Sequence, residues 1–167
     1  MDILILGIGN VLWADEGFGV RVVETLQQCY QFPDNVSVLD GGTQGLFLLP
    51  YVQTTRRLLI LDAIDYGLAA GTFKIVLNEA VPQFMGVKKL SLHQTGFQEV
   101  LAAARLLGQY PDELVLIGVQ PASLEYGEDL SPVVRAQVMP AVQLTLEQLA
   151  RWDVNFQSVL GGTCDIG

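Results

Sequence analysis

The sequence predicts an α/β fold: a three-layer sandwich in which a twisted, mostly parallel five-stranded sheet lies between helices. Three observations carry this expectation. The short runs 2–7, 57–62 and 114–119 are almost continuously apolar, as strands covered on both faces must be. The stretches between strands place apolar residues at helical spacing, so strands and helices alternate along the chain. At 167 residues the chain suits one domain, and a domain of this size buries roughly 70% of its unfolded surface without needing a disulfide or structural metal.

The elements follow in order. Residues 2–7 form the first buried strand, ending at Gly7-Ile8-Gly9-Asn10. Residues 16–29 form a helix with Phe18, Val22, Leu26 and Cys29 on one face and Asp15 as its N-cap. A second strand at 36–39 runs into Asp40-Gly41-Gly42-Thr43, and a short helix follows around 45–51. The third strand, 57–62, is the most apolar and ends at Asp62. Residues 72–78 alternate in polarity, which predicts an edge strand antiparallel to the rest. After a long connection, Thr95 and Gln98 form a capping-box pair for a helix burying Phe97, Val100, Leu101 and Ala104 and stopping near Gly108. Residues 114–119 are the last buried strand, and 120–130 a loop at its end. Ser131-Pro132 start a final helix as cap and first-turn proline, kinked at Pro140. The domain is read as residues 1–152, with 153–167 a flexible C-terminal tail.

Half of the residues are hydrophobic and the formal charge is −9. That balance argues against nucleic acid and anionic membrane surfaces, which require clustered Lys and Arg. It allows a cationic partner such as a metal ion or a basic peptide. No segment reaches the roughly 18 apolar residues of a membrane span, and no signal peptide opens the chain. Cys29 and Cys164, far apart, read as two reduced thiols in a cytoplasmic protein.

Ligands in open α/β sheets bind at the carboxyl ends of strands, where the strand order reverses. Placing the first and third strands side by side makes Glu16 and Asp62 face one crevice. His93, the single histidine, precedes a helix N-terminus, whose dipole favours the neutral, metal-ligating ring. Two carboxylates and an imidazole suit zinc, nickel or iron and leave coordination positions open. Each has a plainer reading: Glu16 as a helix-dipole partner, Asp62 as a loop cap, His93 as a structural histidine. Their convergence favours a site.

Rival chemistries fit less well. Gly7-x-Gly9 imitates a dinucleotide fingerprint, but Leu12 stands at its third glycine and a bulky acidic loop follows. No Gly-x-Ser-x-Gly elbow is present, and neither cysteine is placed as a nucleophile. Asp40-Gly41-Gly42-Thr43 reads either as a tight turn or as a backbone surface for an extended peptide. Lys88-Lys89 reads as solvated surface or as an attractor for a substrate carboxylate.

At this point the chain resembles the maturation endopeptidases of nickel–iron hydrogenases. The matching stretches are Gly7-Ile8-Gly9-Asn10-Val11-Leu12, Asp15-Glu16-Gly17-Phe18-Gly19-Val20, Asp40-Gly41-Gly42-Thr43, Leu61-Asp62-Ala63 and Ser91-Leu92-His93-Gln94, in order over about residues 1–150. Trp13-Ala14-Asp15-Glu16, Gly45-Leu46 and Ala63-Ile64-Asp65-Tyr66-Gly67 look most like members serving membrane-bound uptake hydrogenases. The resemblance implies a cytoplasmic peptidase that removes a C-terminal extension from the hydrogenase large-subunit precursor once nickel is inserted. Glu16, Asp62 and His93 match the family's metal-contacting, catalytic positions. The implied cofactor is nickel supplied by the precursor, with no tightly held metal of the enzyme's own and no membrane insertion. The metal would either polarise the scissile carbonyl or a water, or serve as an anchor while a carboxylate acts as general base. Two rivals remain: a zinc-dependent aminopeptidase and a non-enzymatic nickel-checkpoint or chaperone protein.

Overall fold

All six residues of β1 (Ile3–Ile8) are buried, because the strand runs between two parallel neighbours. On one side it pairs with β3 (Val36–Gly42) and on the other with β4 (Arg57–Ala63). β4 in turn pairs in parallel with β6 (Glu113–Val119), whose other side carries the antiparallel edge strand β5 (Phe73–Leu77). The sheet order is β3-β1-β4-β6-β5, so the five strands, the mixed direction and the antiparallel edge match expectation. Between β1 and β4 the order reverses, the position at which an open α/β sheet leaves a crevice. The computed structural model describes residues 2–85 and 96–159.

Strand alternation divides the core in two. Ile3, Ile5, Leu59, Leu61, Val115 and Ile117 face α1 (Phe18–Cys29) and α6 (Val138–Arg151). Leu4, Leu6, Leu58, Ile60, Leu114 and Leu116 face the layer containing α2 (Leu49–Gln53), α3 (Val81–Met85) and α4 (Phe97–Leu106). Both faces are therefore covered, which is why these strands read as continuous apolar runs rather than alternating ones.

Two glycines set how closely α1 approaches the sheet. A Cβ on Gly19 would collide with the Leu61 carbonyl oxygen and lie 2.7 Å from that of Ile8, and one on Gly7 would collide with the Gly19 carbonyl. The first turn of α1 thus rests on the backbone ends of β1 and β4. This close approach brings the turn before the helix to the carboxyl ends of β1 and β4.

Several local expectations are corrected. Helix α1 starts at Phe18 rather than 16, with Gly17 at its N-cap and no side-chain cap. Asp15 lies instead in a 3₁₀ turn, Ala14–Gly17, and its carboxylate is claimed by a distant loop. Gly96 is the N-cap of α4, again with no side-chain cap, and Thr95 lies outside the described residues. The final helix is two: α5 (Pro132–Arg135) and α6, separated at Ala136–Gln137. Pro140 therefore sits in the first turn of α6, where its missing N–H breaks no helical bond. Ser131 caps α5 by position only, since its hydroxyl donates to Asp15.

Cys29 is disulfide-bonded rather than a free thiol. The chain returns beside it at the opposite end: β2 (Tyr30–Gln31) pairs with β7 (Gln157–Ser158), and the Val159 amide donates to the Cys29 carbonyl. Val154 is buried there, and Phe156 packs edge to face on Tyr30 at 5.9 Å between centroids. Cys164 and the rest of 160–167 lie outside the described residues. Among the described residues, no helix is long and apolar enough to cross a membrane.

Candidate active site

Glu16 and Asp62 stand at neighbouring strand ends. Glu16 belongs to the 3₁₀ turn that leads from β1 into α1, and its amide donates to the Trp13 carbonyl at 3.0 Å. Asp62 is the penultimate residue of β4, paired with Gly118 of β6. Both are buried, Glu16 at 3% exposure and Asp62 at 0%. Asp62 Oδ1 accepts the Ala63 amide at 2.8 Å. His93, the third member of the expected trio, lies outside the described residues, as do Lys88 and Lys89. The helix that follows His93 in sequence, α4, packs on the sheet face carrying Leu58 and Ile60, and alternation gives Asp62 that same face.

The Glu16 turn is held by a polar staple that sequence reasoning missed. Asp15 is fully buried. Its Oδ2 accepts the amides of Ala122 and Ser123 and the Ser131 hydroxyl, and its Oδ1 accepts the Ser131 amide, all at 2.7–2.9 Å. Backbone bonds extend the seam: Ala14 N–H to the Glu128 carbonyl, Asp15 N–H to Ser123, and Gly127 N–H to Leu12. A buried carboxylate is stable when it accepts several hydrogen bonds, and here the donors are supplied by the loop after β6. The only hint in the sequence was an acid with a second acid beside it, which equally suits a helix cap.

The loop after β4 is fastened in a related way. Gln120 Oε1 accepts the amides of Tyr66 and Leu68 at 2.7 and 3.1 Å, and its Nε2 donates to Asp65 at 2.9 Å. The Gln120 bond first, then the Gly67 amide, holds the exposed Asp65 carboxyl below its ordinary range. Burial foremost, and then the charge of Asp62, pushes the Tyr66 phenol well above its usual value. That places Tyr66 within the electrostatic reach of Asp62.

Asp40-Gly41-Gly42 extends β3 instead of following it, and Thr43 comes after the strand. The ladder with β1 slips by one residue there, from Gly7 against Asp40 to Ile8 against Gly42. Gly41 is explained by packing, because a Cβ would lie 2.8 Å from Leu6 Cδ1, and Gly42 by its left-handed φ of 46°. β3 is also an outer strand of the sheet. Around the same carboxyl edge, Val11, Leu12, Trp13, Leu46, Phe47 and Tyr126 are exposed, and Trp13 meets Tyr126 edge to face at 5.1 Å.

The family profile described as hydrogenase maturation protease matches residues 20–148. The chain belongs to the hydrogenase maturation protease family. Hydrogenase expression/formation protein HoxM of Cupriavidus necator is 61% identical over 151 residues, covering 90% of this chain and 75% of that protein. The hydrogenase 2 maturation protease of Escherichia coli is 45% identical over 150 residues, covering 89% and 91%. The solved hydrogenase maturating endopeptidase of E. coli superposes with a TM-score of 0.88 at 43% identity, covering 95% of this chain and 98% of that one. This maturation protease is thus a peptide-bond hydrolase on an α/β scaffold, which sets aside the non-enzymatic and aminopeptidase readings.

Proposed function

We propose that this maturation protease removes the C-terminal extension of a nickel–iron hydrogenase large-subunit precursor, and that it recognises the nickel held by that precursor through Glu16, Asp62 and His93. The observation that carries the reading is the placement of two buried carboxylates, from separate elements, at neighbouring strand ends where the sheet order reverses. Two carboxylates offer oxygen ligands to a divalent cation delivered between these strand ends. Without a thiolate the set is a modest one for nickel, so the precursor's own ligands supply most of the affinity. Recognition then reports that nickel insertion is complete, because an empty precursor forgoes these bonds. The enzyme needs no tightly bound metal of its own under this scheme, and its compartment is the cytoplasm, where the precursor is assembled.

The segments 41–47 and 120–130 at this edge choose the precursor; of 79–92, residues 81–85 form α3 after β5 has ended beside Val115, at the amino end of β6, and 86–92 lie outside the described residues. The exposed apolar residues Leu12, Trp13, Phe47 and Tyr126 suit the burial of a peptide segment. The end of the outer strand β3, Asp40-Gly41-Gly42, with Thr43 after it, offers backbone groups for an extended one. The similarity to members serving uptake hydrogenases makes such an enzyme's precursor the substrate to test.

Purified protein is incubated with nickel-loaded and nickel-free precursor, and the products are weighed by mass spectrometry. Only the loaded precursor should lose its tail. Efficient cleavage of nickel-free precursor by metal-free enzyme would overturn the reading.

A further inference from the structure

Three residues stand in one row across three strands. Asp62 of β4 pairs with Gly118 of β6, and Gly118 pairs with Lys74 of β5. Paired residues project to the same face of a sheet. A carboxylate and an ammonium therefore share a row, with an empty place between them because Gly118 has no side chain. Tyr66 fills that place. A Cβ at position 118 would collide with the Tyr66 hydroxyl and lie 3.0 Å from ring atoms Cε2 and Cζ. The Gln120 side chain fixes the Tyr66 backbone over this spot. Lys74, on the strand beyond, has its Nζ 5.3 Å from the Tyr66 ring centroid and 4.2 Å from that of Phe84. The two rings meet edge to face at 5.5 Å.

Adjacent strands lie about 4.8 Å apart, so the flexible four-carbon stem of a lysine can reach over one intervening strand when nothing blocks it. An ammonium so placed would pair with Asp62, because a desolvated carboxylate binds a nearby cation strongly. We infer that Tyr66 is a positioning residue for Asp62: its ring walls the carboxylate off from Lys74 and keeps the ammonium on aromatic faces. A cation over two ring faces is a favourable resting place. Asp62 is thereby kept out of an ion pair with Lys74, whose ammonium rests on the Tyr66 and Phe84 rings. Gly118 is part of the device, since any larger residue there would expel the phenol. An isolated glycine in an apolar strand marks such a close approach. This inference rests on the role given to Asp62 above.

The test is a rescue experiment on the full chain. Y66A and Y66V are made alone and with K74M, alongside Y66F, K74M and D62N, with melting temperatures recorded for each. Two quantities are read: kcat/KM on nickel-loaded precursor, and Ni²⁺ affinity of the free chain by titration calorimetry. Y66A and Y66V should each lose about tenfold or more in both. Adding K74M should restore both to within about threefold of wild type, and Y66F and K74M alone should stay within that range. Failure of K74M to rescue either variant, or Y66F as impaired as Y66A, would overturn the inference while D62N remained impaired. D62N at full rate and affinity would instead defeat the site reading, and this inference with it. Valine keeps apolar bulk against Phe84, so the comparison survives if alanine unfolds the loop.

Discussion

Glu16 and Asp62 reach neighbouring strand ends by opposite routes. Asp62 belongs to the sheet. Its backbone is set by a ladder with β6 in register from Arg57 to Ala63, and by β1 on the other side up to Leu61. Glu16 belongs to no ladder. Its turn is held by the staple of Asp15 to Ala122, Ser123 and Ser131, residues 107 to 116 positions away. The difference teaches that one half of the proposed two-carboxylate site is placed by cooperative backbone bonding and the other by a few long-range polar contacts. Damage to the second half should be local and graded, whereas displacing the Asp62 backbone should need disruption of the sheet itself.

The largest expected effect separates chemistry from scaffold. D62N and E16Q should each lower processing by at least about 100-fold while shifting Tm by no more than about 3 °C. Asparagine retains the Oδ1 acceptor used by the Ala63 amide, so the ladder stays satisfied. A large fall in Tm with either variant would mean that the carboxylate is structural.

Next come variants of the staple. D15A removes the acceptor of three amides and one hydroxyl, and each buried donor left unsatisfied costs about 1–3 kcal/mol. Urea unfolding should show a loss of about 3 kcal/mol or more, and processing should fall along with it because Glu16 is released. S131A removes only the hydroxyl bond and should cost about 1 kcal/mol. Equal losses from the two variants would show that Asp15 does not act through its several bonds.

The smallest effect is a test by pH on the β4 side. Asp65 is held ionised to lower pH than an ordinary carboxylate by Gln120 and the Gly67 amide. A depressed folded pKa contributes stability that is fully present above the unfolded pKa and is lost as pH falls through the folded one. The loop over 64–68 should therefore stay clamped through mild acid and loosen only below the usual carboxylate range. Asp65 is exposed, so the stability involved is small and sensitive to salt. Carboxyl-carbon NMR titration should place the Asp65 midpoint below the ordinary value, and Q120A should raise it. No change in Q120A would remove the clamp from consideration.

Much of this was legible locally. Apolar runs located the four parallel strands, and the alternation of 72–78 correctly marked β5 as an antiparallel edge. The capping patterns fared worse. Asp15, the Thr95–Gln98 pair and Ser131 all carry residue types that satisfy helix ends, yet α1 and α4 begin on Gly17 and Gly96 with no side-chain cap. Ser131 and Asp15 bond each other instead. Short polar side chains make the same hydrogen bonds to any nearby donor, and sequence alone does not tell which donor folding brings near. The state of Cys29 was hidden for the same reason: nothing local shows that the chain returns to β2 beside it.

By itself the sequence determined the α/β class, the strand ends bearing Glu16 and Asp62, and the maturation-protease family. Hydrophobic periodicity and backbone bonding are local properties, repeated often enough along the chain to be read without coordinates. Only the tertiary structure decided that Asp15 staples two loops, that Gly7 and Gly19 let α1 press onto the strand ends, and that Tyr66 stands over Gly118 between Asp62 and Lys74. Each of these joins separate elements through one or a few close contacts, and such contacts leave no period in the chain because they exist only once the layers have packed.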